Sequence, residues 1–331
     1  MHTTHPLIKV GINLDGAIVN DAHSALTIKQ QFAAVHGHFD YVEKSLWPTE
    51  VLTPWLRESD RTGIPIQVTG STFQPASDLQ RARSIMRDAV AAEISIVNCQ
   101  VLPPANALDE DSALARVSEF YLELLEAGDR GKCVPTLEIH VDMWTEKFRR
   151  IEQLAARLEQ RQAPLHLTID HSHLLYRLGN PEQLQAAGLA NVKDGGWEEL
   201  HPDSPTSFYR RWMACGWIAH AHARSVQLNG VANPWCQHES GLAGRGVQYP
   251  LIEPQPGTYH QAWSESEVEP WKKALRQLIH WKASNLNSRM KRITCEFIPF
   301  ADYGGGSRYN LLQQNMACAE WLRNEIHAQS L

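Results

Sequence analysis

Leu137-Glu138-Ile139-His140-Val141, inside the run Thr136–Val141, decides the fold. A strand turns successive side chains to opposite faces, so an extended chain here puts Glu138 and His140 on one side and Leu137, Ile139 and Val141 on the other. That describes a strand with an aliphatic face for helices and a polar face for a shared interior. Three more runs read the same way. His166–Asp170 sets Asp170 opposite Ile169, with His173 just beyond. Ile218-Ala219-His220-Ala221-His222 sets both histidines on one face and the alanines on the other. Thr294-Cys295-Glu296-Phe297 sets Glu296 opposite Cys295 and Phe297.

Working outward, β-rich runs at Lys9–Asn13, Asp40–Glu43, Ile66–Thr69 and Ile94–Asn98 join Thr136–Val141, His166–Asp170, Ile218–His222 and Ile293–Phe297, which makes eight strands. The segments between them carry helical spacing, as in Leu114, Val117, Tyr121, Leu124 and Leu125, then Phe148, Ile151, Leu154 and Leu158. Eight strand–helix units of this kind predict an α/β chain folded as a closed (β/α)8 barrel, one domain over residues 1–331. The first strand is not followed by GxGxxG, which removes the main support for a nucleotide-binding sheet. The largest gap, about residues 226–270, is rich in Pro, Gly, Trp and His and is expected to form a lid-like loop.

The chain has 331 residues, of which 43% are hydrophobic, enough for a substantial core. Thirty-one Lys and Arg against 37 Asp and Glu give a formal net charge of −6, which argues against a nucleic-acid partner. No apolar run approaches a bilayer span and residues 1–12 lack a secretory apolar segment, so a soluble, cytoplasmic protein without membrane partners is expected. The six cysteines form no CxxC pair and are expected to be reduced thiols. The 16 histidines point toward metal or acid–base chemistry, and the 11 tryptophans toward a flat-walled pocket.

Barrels place chemistry at the C-terminal ends of strands, on side chains facing the axis. Four consecutive strands end in metal-ligand types, in the order Glu, Asp, His, Glu. Three carboxylates and an imidazole suit one divalent ion, Mn2+ first, with Mg2+, Co2+ or Zn2+ as alternatives. A cation also relieves the mutual repulsion of the carboxylates.

Glu138 on the fifth strand, Asp170 followed three residues later by His173, the His-x-His at 220 and 222 and Glu296 on the eighth strand resemble the xylose-isomerase-like TIM-barrel superfamily. That group includes sugar isomerases, ketose 3-epimerases, inosose dehydratase and endonuclease IV. The resemblance spans the whole chain as architecture, with its specific motifs inside residues 136–297. It implies that Glu138, Asp170, His222 and Glu296 ligate the metal. His220 then stands behind His222, grouped with the substrate-side residues, and His173 contacts substrate. It further implies that Glu138 and Glu296 exchange protons with a carbon beside a carbonyl while the metal stabilises an enediolate. His140, sharing a face with Glu138, acts as a further acid–base group or orients its neighbour.

Subfamily details differ. Xylose isomerases carry Lys two residues after the fifth-strand Glu, where this chain has His140, which disfavours a hydride shift. Ketose epimerases place an Arg several residues beyond the seventh-strand His, and Arg224 stands only two residues on. Endonuclease IV needs a richer set of ligands and a DNA-binding surface.

In the long loop, Trp235 is a candidate cover for a sugar face and Arg245 a candidate contact for a polar or anionic substituent. An oligomer contact or an ordered surface loop explains both equally well. Trp144 and Trp47 stand after the fifth and second strands, where they line the pocket or pack against the barrel. The expected function is a metal-dependent isomerase or epimerase acting on a sugar or polyol. The alternatives are a lyase or dehydratase that performs β-elimination on a keto-sugar or oxidised glycoside, and a non-catalytic sugar- or metal-binding barrel subunit. A homo-oligomer is compatible with any of them.

Overall fold

In the computed structural model, which describes residues 8–129, 131–189 and 197–329, strands and helices alternate along the chain. The strands are β1 (Lys9–Asn13), β2 (Tyr41–Ser45), β3 (Ile66–Phe73), β4 (Ile96–Val101), β5 (Val134–Glu138), β6 (Leu167–Asp170), β7 (Ile218–Ala223), β8 (Asn233–Gln237), β9 (Ala243–Gly244) and β10 (Arg292–Cys295). The helices are α1 (Ile28–Val35), α2 (Thr53–Thr62), α3 (Leu79–Ala91), α4 (Glu110–Ala127), α5 (Arg149–Glu159), the short α6 (Ser172–Leu175), α7 (Pro181–Ala186) and α8 (Phe208–Ala214), then α9 (Glu269–Ser284) and α10 (Leu311–Ala328). Eight strands close into a parallel barrel in the order β1-β10-β7-β6-β5-β4-β3-β2, while β8 and β9 form a separate antiparallel pair within the long loop. The closed eight-strand barrel is the fold expected from the alternation.

Local chemistry explains the elements. α4 begins where the Asp109 carboxylate accepts from the Ser112 N–H at 2.8 Å, a reciprocal cap, and it buries Ala113, Val117, Phe120, Tyr121 and Leu124 against the barrel. α5 buries Ile151, Leu154 and Leu158 at the same helical spacing. Strand limits differ from expectation at several ends. β5 stops at Glu138 rather than Val141, so His140 lies in the following loop, and β10 stops at Cys295, so Glu296 begins its loop. β2 runs on to Ser45, which places Glu43 inside the strand rather than at its end.

The barrel interior is layered. Near its base Tyr41, Val68 and Ile96 pack together, and the Tyr41 ring lies over Gly11, where an added Cβ would come within 2.4 Å of it. Above this runs a chain of polar contacts. Thr136 meets Thr168 at 2.7 Å and Thr168 meets His220 Nδ1 at 3.2 Å; His220 Nε2 meets Thr294 at 2.8 Å, and Thr294 meets the Tyr41 hydroxyl at 2.9 Å. Buried polar groups need partners, and this layer supplies them to one another. The seam is closed by the β1–β10 ladder and by Asn13, whose amide donates to Glu296 at 2.9 Å. Asn315 of α10 spans the same seam, donating to the carbonyls of Gly16 and Phe297.

The long segment after β7 is stitched down. Asn233 donates to the Gly305 carbonyl at 2.7 Å, His238 meets Asp302 at 2.8 Å, and the Val247 N–H donates to the Asp302 carbonyl at 2.9 Å. All six cysteines are free thiols. Among the described residues no helix is long and apolar enough to cross a membrane.

Candidate metal centre

His222, pointing inward from β7, is the hub of the barrel mouth. Its Nδ1 lies 3.1 Å from Glu138 Oε1 and 3.0 Å from Glu296 Oε2, and its Nε2 lies 3.1 Å from both oxygens of Glu43. Two ligands bound at about 2.1 Å and at right angles around one ion stand about 3 Å apart. The Glu138–His222–Glu296 set has that spacing, with all three donor atoms within 4.8 Å of one another. A second convergent group joins Glu43, His220 and His222, and a third joins Glu138, His140 and His173.

Electrostatics in this pocket favour added positive charge. Glu43, Glu138, Asp170 and Glu296 are all buried. Burial opposes charge on His222, but Glu296, Glu43 and Glu138 outweigh it and hold the imidazole well above its ordinary pKa. Burial likewise opposes ionisation of Glu138 and Glu296. The nearby His222 charge prevails, holding Glu138 below the carboxylate range, and together with Arg224 it does the same for Glu296. Four buried carboxylates gather around one guanidinium and one imidazole, a crowding of acids that a divalent ion would relieve. The donor set fits such an ion, and Glu138, His222 and Glu296 are the residues that could hold it.

Asp170 is turned elsewhere. Its Oδ2 lies 2.5 Å from Arg224 Nη2 and its Oδ1 accepts from the Ser172 N–H at 2.8 Å. Arg224 is buried and also reaches Glu296 Oε2 at 3.0 Å and His173 Nε2 at 2.9 Å, with its guanidinium 4.0 Å from the Tyr303 ring centroid. Burial raises the Asp170 carboxyl above its usual range even against the Arg224 charge. Arg224 thus sits among the acids as a buried cation. His173 is held neutral, first by burial and then by the neighbouring His140 and Arg224.

His140 stacks on His173 with ring centroids 4.1 Å apart. Its Nδ1 lies 2.5 Å from the Val141 carbonyl, which can only accept, and its Nε2 lies 2.7 Å from the Tyr303 hydroxyl. In the neutral ring Nε2 is then the acceptor for the Tyr303 proton. His220 lies below His222 within the Thr168–Thr294 layer, and burial pushes its pKa down to about 3.

The other expected contacts lie farther out. Trp144 is buried in the helix-facing core with Arg150 over its ring. Trp235 is partly exposed and meets His260 edge-on. Arg245 pairs with Asp142, Glu146 and Asp302, tying three loops together.

A cavity of about 200 Å3 opens above the acids, walled by residues that include Asn98, Gln100, Glu138, His140, Glu296 and Tyr303. Asn98 and Gln100 both donate to Glu138 Oε2, at 2.8 Å and 3.0 Å. Glu43 and Tyr303 are the principal residues that sequence reasoning missed. Glu43 shares a strand face with Tyr41 and Ser45, so the alternation that revealed the other acids applies to it. Tyr303 follows no such period.

No protein-family profile matches the sequence, and no curated protein matches it. Solved structures do. A D-allulose 3-epimerase from Methylomonas sp. in complex with D-allulose superposes with a TM-score of 0.54 at 12% identity over 98% of each chain. A putative xylose isomerase from Rhodospirillum rubrum ATCC 11170 gives 0.53 at 15% identity over 96% of this chain and 99% of that one. An IOLI protein with a binding zinc atom gives 0.52 at 11% identity over 98% and 99%. The chain has the fold of the xylose-isomerase-like TIM-barrel proteins.

Proposed function

We propose that the protein is a divalent-metal-dependent sugar or polyol isomerase or epimerase, with Glu138 and Glu296 as its proton-exchanging groups. The observation that carries this reading is the convergence of Glu138, His222 and Glu296, with Glu138 and Glu296 lining an open cavity. The names of the epimerase and isomerase structures sharing this fold support the reaction class. An ion held by Glu138, His222 and Glu296 supplies Lewis-acid polarisation of substrate oxygens, and Mn2+ is the first choice because hard carboxylate oxygens outnumber the single imidazole.

The chain's own residues do the rest. Glu138 and Glu296 stay ionised when buried, so either can accept a proton from a carbon beside a carbonyl. Asn98 and Gln100 orient Glu138, and Asn13 and Arg224 orient Glu296. Asp170 acts by fixing Arg224. A second reading, β-elimination, draws support from the Tyr303–His140 pair at 2.7 Å on the cavity wall, which offers a proton for a leaving oxygen.

The test is exchange of solvent deuterium into ketohexoses by Mn2+-loaded protein, read by mass spectrometry. Label at a carbon beside the carbonyl is expected for wild type and lost in Glu138→Gln and Glu296→Gln. Absence of label and of any product across the panel of ketoses would overturn the reading.

A further inference from the structure

We propose that the cavity takes a sugar or polyol carrying an aromatic or other apolar substituent, the polar part on the carboxylate floor and the substituent against Trp47 and Phe300 at the mouth. This rests on the floor reading given above and adds a substrate class to it.

The wall is graded with depth. Asn13, Asn98, Glu138 and Glu296 lie deep and nearly inaccessible, whereas Trp47 is 56% and Phe300 36% exposed. Leu46 and Ile298 continue the apolar side below them. Of the exposed large apolar side chains among the described residues, Trp47 and Phe300 are the two that line this cavity. Proton exchange requires the reacting carbons at the floor, so whatever touches Trp47 and Phe300 belongs to a part of the ligand away from the reaction.

The two rings meet edge to face, with centroids 6.1 Å apart and planes at 85°. That makes a corner rather than a flat platform. A pyranose stacks its C–H face on a single ring, while a corner offers a face and an edge to a third ring or an alkyl group. The backbone that carries the corner is also held before any ligand arrives. The Trp47 backbone N–H donates to Glu50 at 2.8 Å, and Glu50 pairs at 3.1 Å with Lys44, whose ammonium lies over the Trp55 ring. The Phe300 carbonyl accepts from the N–H groups of Tyr303 and Gly305 at 2.9 Å and 3.0 Å. Water-facing aromatic surface forfeits burial that a ligand restores, and a backbone already held lowers the ordering cost on binding.

The experiment titrates Mn2+-loaded full-length protein by calorimetry with methyl β-D-glucopyranoside and phenyl β-D-glucopyranoside, and with phenol by saturation-transfer NMR. Wild type, Trp47→Ala, Phe300→Ala and Glu296→Gln are compared. Both aromatic side chains are exposed, so their truncation spares the core. The phenyl glycoside should bind at least tenfold tighter than the methyl one, and this ratio should fall to within twofold in Trp47→Ala and drop in Phe300→Ala. A wild-type ratio near one overturns the proposal, as does equal weakening of both glycosides by Trp47→Ala, which would make Trp47 a platform for the sugar ring. Glu296→Gln should weaken both glycosides alike while the ratio survives; a surviving ratio with no weakening removes the floor reading and keeps the apolar subsite. If neither glycoside binds, phenol transfer that Trp47→Ala abolishes retains the subsite, and absence of phenol transfer overturns it.

Discussion

His222 holds Glu43 on one edge of its ring and Glu138 and Glu296 on the other: Nε2 lies 3.1 Å from each Glu43 oxygen, and Nδ1 lies 3.1 Å and 3.0 Å from the other two acids. When an ion displaces the Nδ1 proton, the Glu43 carboxylate keeps the remaining proton on Nε2 and so orients the ring. Glu43→Gln is therefore expected to weaken Mn2+ binding about 10–100-fold. Calorimetric titration checks this, with circular dichroism as the control for folding. Unchanged affinity would reduce Glu43 to a counter-charge.

Arg224 and Asp170 make a fully buried pair. Breaking such a pair by removing one partner costs about 3–5 kcal/mol. Arg224→Met should lose stability of that order in urea unfolding of the metal-free protein. Because Asp170 is committed to Arg224 and Ser172, Asp170→Asn should cost less Mn2+ affinity than either Glu138→Gln or His222→Ala. The opposite ranking would show that the ion draws Asp170 away from Arg224.

Acid should weaken the fold early. Burial depresses the pKa of His166 to about 4 and of His171 to about 3, against 6.5 for an unburied ring. The unfolded chain then binds more protons between those values, so the stability these residues contribute is complete above about pH 6.5 and is lost as pH falls toward 3–4. His171 makes no ring hydrogen bond among the described residues, so His171→Phe should flatten the acid limb of the stability curve without breaking a hydrogen bond. Urea midpoints from pH 4 to 8 test it.

Asp15 has the opposite sign. Burial raises its carboxyl from 3.8 to about 6, with Lys44 only partly offsetting, so the folded state holds that proton more tightly than the unfolded chain. Stability is drained as pH rises through that interval. Asp15→Asn should be more stable than wild type by about 1–3 kcal/mol at pH 8 and equal to it near pH 4. Equal stability at pH 8 would show that Lys44 fully compensates the charge.

Gly11 provides a packing test at the base of the barrel. A Cβ there would come within 2.4 Å of the Tyr41 ring, and that ring is anchored to Thr294. Overpacking of this kind costs about 1–3 kcal/mol, so Gly11→Ala should lower the thermal midpoint measurably.

The barrel was legible because each strand carries its own period of two and each helix its own apolar stripe, properties that survive in a bare sequence. Glu138, His222 and Glu296 stood out for the same reason. Glu43 did not, because in the run Asp40–Glu43 it is followed by Lys44 and by no His or further acid in the strand, although the observed Tyr41–Ser45 buries it. β5 looked longer than it is because alternation persists past Glu138, and the Ile139 N–H still reaches the Thr168 carbonyl at 3.0 Å. The turn of Asp170 toward Arg224 depends on side chains 54 residues apart competing for one space, which local spacing does not encode. Trp144 and Trp235 carry the same letter, yet one is core and the other half in water.

The seam between β1 and β10 sets a schedule for the site. Asn13 and Glu296 are 283 residues apart, and their hydrogen bond exists only once the first and last barrel strands have paired. Pairing over such separations is slow because loop-closure entropy comes first. During synthesis Glu43 and Glu138 leave the ribosome long before Glu296, so early in translation the chain offers an ion scattered acids and no socket. Once the ring has closed, anything that binds the closed form alone adds its binding free energy to the stability of that form. An ion held by Glu138, His222 and Glu296 would act as a rivet, fastening the youngest strand of the barrel to β5 and β7.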